Sequence, residues 1–282
     1  MKIGIVGSLG IVGSAVTFGM ELLNHDVKVY DIKLPNSKLE DVMGCEIVFV
    51  CVPTLAKENG ECDTSIVEQV VSDLITKRQE RYVKEQIIAI KSTVSLGLTN
   101  KLINKYHLDF MSGHYKTGTF QLAFVPEFLK ERSALIDFTE RHDLCVIGTT
   151  HQRTYEKIKE AHGRLPKKFV QLTPTEAEAV KLFNNGYNAT LITFANSFHE
   201  LCKKHDISYS NVKNAVVERE HIVDSYLEVN DKWRGFGGAC LIKDCQSLSK
   251  MCEDTNVRFF DYLLEENKKY KVTVPEGMRI KE

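Results

Sequence analysis

The stretch GIVGSLGIVGSAV, residues 4 to 16, decides how the chain begins to fold. Its first residues belong to the apolar run KIGIVG (2–7), which reads as a strand, and a helix-compatible run follows the glycines. Gly7, Gly10 and Gly13 stand between the two. Glycines there let a phosphate approach the backbone, and the helix N-terminus offers unpaired N–H groups and the positive end of its dipole. A second strand, VKVYD (27–31), ends on Asp31, where an acid can bond ribose hydroxyls. Together these features point to a dinucleotide. A carboxylate at Asp31 would repel a 2′-phosphate, so the expected cofactor is NAD, held by Gly7, Gly10, Ile11, Val12, Gly13 and Asp31. The spacing G-x-x-G-x-x-G is one residue longer than the usual form. A purely structural turn is the competing reading.

The same alternation continues beyond this unit. Strand candidates are EIVFVCV (46–52), IIAIKST (87–93), QLAFVP (121–126), LCVIGT (144–149) and KFVQLT (168–173), with helix candidates at 64–77 and 151–163. Runs that are apolar throughout and rich in Val and Ile suit strands buried on both faces. The expected fold is therefore α/β, a Rossmann-like parallel sheet covered by helices. After residue 173 the pattern changes to one long helix, TPTEAEAVKLFNNGYNATLITFANSFHELCKKHD, capped by Thr173 or Thr175. Ala179, Leu182, Phe183, Ala189, Ile192, Phe194, Ala195 and Phe198 make it apolar around much of its girth. Such a helix is buried, against its own chain or a second subunit. The expected domains are 1–173, binding NAD, and 174–282, all-helical.

Charge excludes some classes of partner. The 37 basic and 38 acidic side chains give a formal net charge of −1, with no pull toward nucleic acid or anionic lipid. No stretch is apolar and long enough to span a bilayer. The first residues share the outline of a secretory signal, an early Lys before an apolar run, but their glycine spacing and the strand that follows favour strand–turn–helix. The eight cysteines form no C-x-x-C pair, so a zinc ribbon is not expected and no metal site is assigned. Several lie in apolar runs, which suits reduced thiols and a cytoplasmic protein.

One cysteine keeps different company. In GFGGACLIKDC (235–245) Cys240 follows three glycines and precedes Lys243 and Asp244. An ammonium nearby favours thiolate. On the long helix Lys181 and Asn185 are four apart and share a face. VPEFLKE supplies Glu127 and Glu131, and Thr93 ends a strand on the side of the sheet where ligands bind. A thiolate beside NAD can trap an aldehyde as a thiohemiacetal, which yields a second hydride and leaves a thioester. Water and a base such as Glu127 would release the acid, with Lys181 and Asn185 stabilising oxyanions. Each residue also has a plain reading: Cys240 as packing, Lys181 reaching solvent, Thr93 or Asn185 as caps, Lys243–Asp244 as a surface pair.

These segments, taken in order, resemble the UDP-glucose/GDP-mannose dehydrogenase family. KIGIVG…G…VG, VYDI, FVCVPT, IKSTVSLG, FVPEFLKE, AEAVKLFNNGYNATLITFANS and GFGGACLIKD cover almost the whole chain. The resemblance implies NAD-dependent, four-electron oxidation of a nucleotide-linked sugar alcohol to the uronic acid. It implies Cys240 as nucleophile, with Lys181, Asn185, Asp244, Glu127 and Thr93 catalytic. Thr93, Glu131 and Lys243 join the cofactor side. It also implies a homodimer through the helix near 175–203.

The sequence departs from that pattern in places. Ser95, Leu55 and Ile242 stand where prolines are common, and Arg132 where glycine is usual. The family's arginine before the glycine loop has no aligned match, although Arg234 is close by. Relatives continue into a third, nucleotide-binding domain, whereas this sequence stops after MRIKE, so a two-domain form is expected. The alternatives are a non-catalytic NAD-binding subunit paired with a longer relative, and a two-electron sugar or hydroxyacid dehydrogenase.

Overall fold

A computed structural model describes residues 1–77, 85–111, 119–229, 234–238 and 240–270, with the backbone alone at 107–111 and 119. The strands are β1 (Lys2–Val6), β2 (Asp26–Tyr30), β3 (Ile47–Val50), β4 (Leu55–Ala56), β5 (Cys62–Asp63), β6 (Glu85–Ile90), β7 (Thr119–Phe124), β8 (Leu144–Gly148) and β9 (Lys168–Leu172). The helices are α1 (Ile11–Leu22), α2 (Ser65–Thr76), α3 (Leu98–Met111), α4 (Ala134–Thr139), α5 (Gln152–His162), α6 (Pro174–Lys204), α7 (Tyr209–Val216), α8 (Leu241–Met251) and α9 (Phe259–Asn267). Two compact units result. The first comprises Met1–Leu55 and Asp63–Lys181, the second Ala56–Cys62 and the chain from Leu182 onward. The division falls inside α6, whereas the sequence pattern changes at 173.

The first unit holds a seven-stranded sheet in the order β2-β1-β3-β6-β7-β8-β9. All seven expected strands are present. Period-two alternation sorts their side chains onto two faces. Val6, Val48, Val50, Ile88, Ile90, Leu122 and Phe124 pack with Val67, Val71 and Leu74 of α2 and Leu102 and Tyr106 of α3. Ile3, Ile5, Ile47, Phe49, Ile87, Ala89 and Ala123 pack with Val16 and Met20 of α1, Phe138 of α4 and Ile158 of α5. A sheet covered on both sides leaves no strand face for polar residues, which explains the unbroken apolar runs.

One joint corrects the expectation of a wholly parallel sheet. β7 meets β8 antiparallel, at Phe124 and Gly148, while β1–β2, β1–β3, β3–β6, β6–β7 and β8–β9 are parallel. A parallel crossover needs a helix long enough to return along the sheet. α4, with six residues, rises only about 9 Å. The next strand therefore starts beyond the carboxyl end of β7 and runs back. β4 and β5 form a separate two-stranded ribbon that the sequence did not announce.

α6 starts at a capping box. The Thr173 hydroxyl accepts from the Glu176 N–H (3.4 Å), and the Glu176 carboxylate accepts from the Thr173 N–H (2.8 Å). Pro174 takes the first helical position, where its missing N–H costs nothing. Of the two expected caps Thr173 is the one used; Thr175 accepts from the Asn100 side chain instead (3.1 Å). One turn later Glu178, 1% exposed, caps a different helix. It accepts from the N–H of Gly97 and from the N–H (2.9 Å) and hydroxyl (2.6 Å) of Thr99, at the start of α3.

In the second unit the rest of α6 packs on α8 and α9 through Ala189, Ile192, Cys245, Leu263 and Phe260. A second cluster gathers Ala195, Leu227 and Val229 with Leu191 and Tyr209. The opposite side of α6 is uncovered: Phe183, Tyr187, Phe194, Phe198 and Leu201 are exposed, Phe183 by 75% and Phe194 by 62%. Among the described residues no helix is long and apolar enough to cross a membrane.

Glu178 offers a direct test of the first unit. Glu178→Ala strands the N–H groups of Gly97 and Thr99 at the start of α3, so its unfolding free energy in urea should fall by about 3 kcal/mol. Burial raises the Glu178 carboxyl above its ordinary range, against the hydrogen bonds that lower it. A carboxyl raised on folding contributes stability that is present below its unfolded pKa, about 4.3, and lost as pH rises through the folded value. Measured against Glu178→Gln, the wild type should therefore lose stability as pH climbs from about 4.3.

Candidate functional site

The expected residues gather into two groups, one in each unit. In the first, the chain leaves the carboxyl ends of β1, β2, β6 and β7 at Gly7, Asp31, Lys91 and Val125. Ligands bind outside these ends in open α/β sheets.

The glycine loop absorbs its extra residue in a tight turn. Gly10 N–H donates to Gly7 O (3.1 Å), closing a turn around Ser8 and Leu9. Gly7 has φ +83°, and a Cβ there would lie 2.5 Å from the carbonyl oxygen of Cys51. At Gly13 a Cβ would lie 2.0 Å from the oxygen of Gly7. Only glycine fits either place. Gly10 is the extended N-cap of α1, and no side chain caps that helix. The first N–H groups of α1, those of Ile11, Val12 and Gly13, thus have no intrahelical acceptor. Asp31 accepts from Leu9 N–H (3.0 Å) and Lys33 N–H (2.9 Å), one on each carboxylate oxygen. A carboxylate has about four acceptor positions, so it retains capacity for hydroxyl donors. The Ser8 hydroxyl is buried in this loop with no hydrogen-bond partner. An uncapped helix, a backbone cradle and a spare hydroxyl fit a pyrophosphate, and Asp31 fits a ribose.

Beyond β7 stands a buried ion pair. Lys181 Nζ, on α6, donates to the backbone oxygen of Glu127 (2.7 Å) and to its Oε1 (3.0 Å). Their side chains are only 5% and 10% exposed. The other carboxylate oxygen of Glu127 accepts from Leu129 N–H (2.7 Å). Residues 125–130 are not helical, so the four-residue spacing of Glu127 and Glu131 does not place them on one helical face; Glu131 opens a short 3-10 turn. Thr93 follows β6, half-buried.

The second group centres on Asp244, 1% exposed on α8. Asn185 Nδ2 donates to its Oδ2 (2.5 Å), and Lys243 Nζ contacts its Oδ1. Lys181 and Asn185, one turn apart on α6, therefore serve different partners. The glycines before Cys240 are fixed from two sides. Asn267 donates to Phe236 O and accepts from Phe236 N–H, both at 2.8 Å, and Asn196 Oδ1 accepts from Gly235 N–H (3.1 Å). Ala239 lies outside the described residues. Cys240 is the N-cap residue of α8 and is exposed; six of the other seven cysteines are buried and Cys252 is intermediate. Burial pushes the thiols of Cys45, Cys51, Cys145 and Cys245 up to about 12. Arg234 is occupied: it pairs with Glu200, donates toward His199 Nδ1 (3.1 Å) and lies over the Tyr270 ring (5.1 Å).

Sequence reasoning passed over Lys91, which is 3% exposed. Its signal was a lone cation closing the apolar run IIAIK. Asn196 and Asn267 were passed over as well, since nothing in their neighbours marks them. Among the described residues no three His, Cys, Asp or Glu side chains gather to hold a metal.

Comparison with known proteins places this architecture. Residues 33–165 match the NAD binding domain of the UDP-glucose/GDP-mannose dehydrogenase family, and residues 175–269 match its central domain. The glycine loop lies ahead of the first match. UDP-glucose 6-dehydrogenase of Rickettsia felis is 29% identical over 240 residues, 84% of this chain and 50% of that protein. UDP-glucose 6-dehydrogenase TuaD of Bacillus subtilis is 26% identical over 260 residues, 92% of this chain and 54% of that protein. The chain thus spans about half the length of the curated relatives it matches. A solved UDP-glucose dehydrogenase from Pyrobaculum islandicum superposes with a TM-score of 0.82 at 25% identity, over 95% of this chain and 68% of that one. NAD is the cofactor of the first unit, and the chain belongs to the UDP-glucose/GDP-mannose dehydrogenase family.

Proposed function

We propose that the protein takes part in the NAD-dependent oxidation of a nucleotide-linked sugar alcohol to the uronic acid, with Cys240 carrying the covalent intermediate. The observation that carries this reading is the placement of Cys240: exposed, at the N-terminal end of α8, after a loop pinned by Asn196 and Asn267. A thiol at a helix N-terminus is in the setting that favours thiolate. When bound, NAD accepts a hydride from the substrate carbon, one for each of two oxidations.

The chain's own residues then have these roles. The Cys240 thiolate adds to the carbon of the aldehyde formed by the first oxidation, giving a thiohemiacetal. Loss of the second hydride leaves a thioester on Sγ. Glu127 takes a proton from the attacking water, the C–S bond breaks, and thiolate and carboxylic acid separate. Lys181 holds Glu127 in place and is assigned with Asn185, which Asp244 orients, to stabilising the oxyanions. Thr93, Glu131 and Lys243 are assigned to substrate and cofactor positioning. Gly7, Gly10, Ile11, Val12, Gly13 and Asp31 seat the dinucleotide.

The exposed aromatic stripe of α6 is assigned to a homodimer. Phe183 stacks on Tyr187 (6.5 Å) and Phe194 packs tilted against Phe198 (6.0 Å), so the rings are already ordered for a second copy of the same surface.

With UDP- and GDP-sugars as substrates, NADH absorbance should rise by two equivalents per sugar. Cys240→Ala should slow that rise by about a hundredfold or more. One equivalent per sugar would instead indicate a two-electron dehydrogenase. NAD binding without cysteine-dependent NADH would indicate a non-catalytic NAD-binding subunit. In sedimentation velocity the wild type should run as a dimer and Phe194→Glu as a monomer; a monomeric wild type would remove the dimer from this reading.

A further inference from the structure

Two histidines that the scheme above leaves unused lie in the core face where α4 and α5 meet the sheet. His162, the last residue of α5, packs against the Phe49 ring of β3 (centroids 5.4 Å apart) and the Phe138 ring of α4 (6.1 Å). His142, between α4 and β8, lies 5.1 Å from Phe138 and 6.1 Å from His162. Lys91, just past β6, places Nζ 5.5 Å from the centre of the Phe49 ring and 5.9 Å from that of Phe138. The two phenyl rings thus already carry one cation.

Hydrogen bonding fixes the state of these imidazoles. His162 is 0% exposed, and its Nδ1 lies 2.8 Å from the carbonyl oxygen of Ile158. A carbonyl only accepts, so Nδ1 carries the proton. Nε2 is then a lone pair, buried without a partner, and His142 likewise has a buried Nδ1 without one. His25, at the same end of α5, differs. Both its ring nitrogens are occupied, one by the carbonyl of Ala161 (2.9 Å) and one by the N-terminal amine (3.2 Å). Among the described residues no carboxylate forms an ion pair with His142, His162 or Lys91. Asp143 is the acid acting on His142, while Lys91 and His25 add positive charge around His162. The thiols of Cys51 and Cys145, which act on Lys91, are held up at about 12 and stay neutral. A proton on either imidazole therefore puts a second cation among the same rings, and on His162 it would sit at a nitrogen with no acceptor. A charge buried without a partner is strongly unfavourable.

We propose that His142 and His162 form an acid-sensitive latch in the first unit: while neutral they seal α4 and α5 onto β3, and a proton on either one releases that seam. Phe138 also backs α1, since a Cβ on Gly19 would lie 2.4 Å from its ring. The seam thus supports the helix whose first N–H groups fit a pyrophosphate. Burial, and then Lys91, holds His142 down to about 4 and His162 well below the ordinary histidine range; the backbone at Phe138 and at Ile158 works the other way. A histidine whose pKa falls on folding takes up its proton only in the unfolded chain. Its effect on stability is absent above the unfolded value, about 6.5, and stability is lost as pH falls from there toward the folded value.

The test counts protons taken up on unfolding and needs no substrate. The unfolding constant of the first unit in urea is followed from pH 7 to pH 5. Between pH 6 and 5 it should rise in the wild type about sevenfold more than in His142→Phe or in His162→Asn, and about fiftyfold more than in the double variant. Profiles that run parallel overturn the latch, because a packing role alone changes the level of stability and not its slope with pH. Should the variants not fold, ¹⁵N NMR of the wild-type histidine rings decides. At pH 5 the folded protein should keep His162 neutral with its proton on Nδ1, and His142 neutral beside it. Titration of both near 6.5 with the fold intact overturns the proposal.

Discussion

A buried ammonium and carboxylate, Lys181 and Glu127, set the terms for the first unit. Both are nearly sealed from water, so neither can lose its partner without leaving a bare charge in a poorly polarisable interior. Breaking such a pair from one side costs on the order of 3–5 kcal/mol, although the intact pair adds little net stability. The pair joins the segment after β7 to the start of α6 by side chain and by backbone, because Lys181 also holds the Glu127 carbonyl. The capping box at Thr173 fixes where α6 begins, hence which turn presents Lys181. Glu178, one turn earlier, ties the same stretch of α6 to the start of α3. A register shift of a single residue in α6 would break all three arrangements at once.

The sheet was legible because its chemistry is local. Strands covered on both faces must be apolar at most positions, and that signature survives in a short window of sequence. The helix start at Thr173-Pro174-Thr175-Glu176 was legible for the same reason, since a capping box is a contact between residues three apart. The reversal at β8 was not legible: LCVIG has the same composition whichever way it runs. Only the short reach of α4 forces the reversal, and helix length is what sequence pattern places least well. The division of the chain within α6 was hidden too, because one continuous helix carries no punctuation at Lys181.

The site divides along similar lines. Cys240, the glycines and Asp31 announced themselves through neighbours in sequence. The partners of Lys181 and Asn185 did not. A lysine on an apolar helix signals that it needs a partner, but Glu127 lies 54 residues away and Asp244 lies 59 from Asn185. Their common helical face suggested joint action, and the structure gives each its own carboxylate. Glu127 and Glu131 mislead in the opposite sense, because spacing by four places residues on one face only in a helix and this segment is not helical at Glu127. Lys91 closes a strand that otherwise reads as core, and a single polar residue at a strand end is ordinarily taken as the point where the chain meets water.

Eight cysteines in one chain raise the question of what would set the proposed nucleophile apart from the others. Burial answers half of it: with no compensating charge, a thiol in an apolar core stays protonated. Even Lys91, whose charge favours thiolate, does not bring Cys51 or Cys145 below about 12 against their burial. The other half concerns Cys240. The nearest cation in sequence, Lys243, is turned onto Asp244 and Asp244 is further bound by Asn185, so the ammonium is largely offset. Cys240 also stands at the N-terminal end of α8, a fixed partial charge that moves only with the helix. Asn196 and Asn267 hold the glycine loop that leads into that end by its backbone. The two asparagines thus fix the backbone at Gly235 and Phe236, a few residues ahead of the proposed nucleophile.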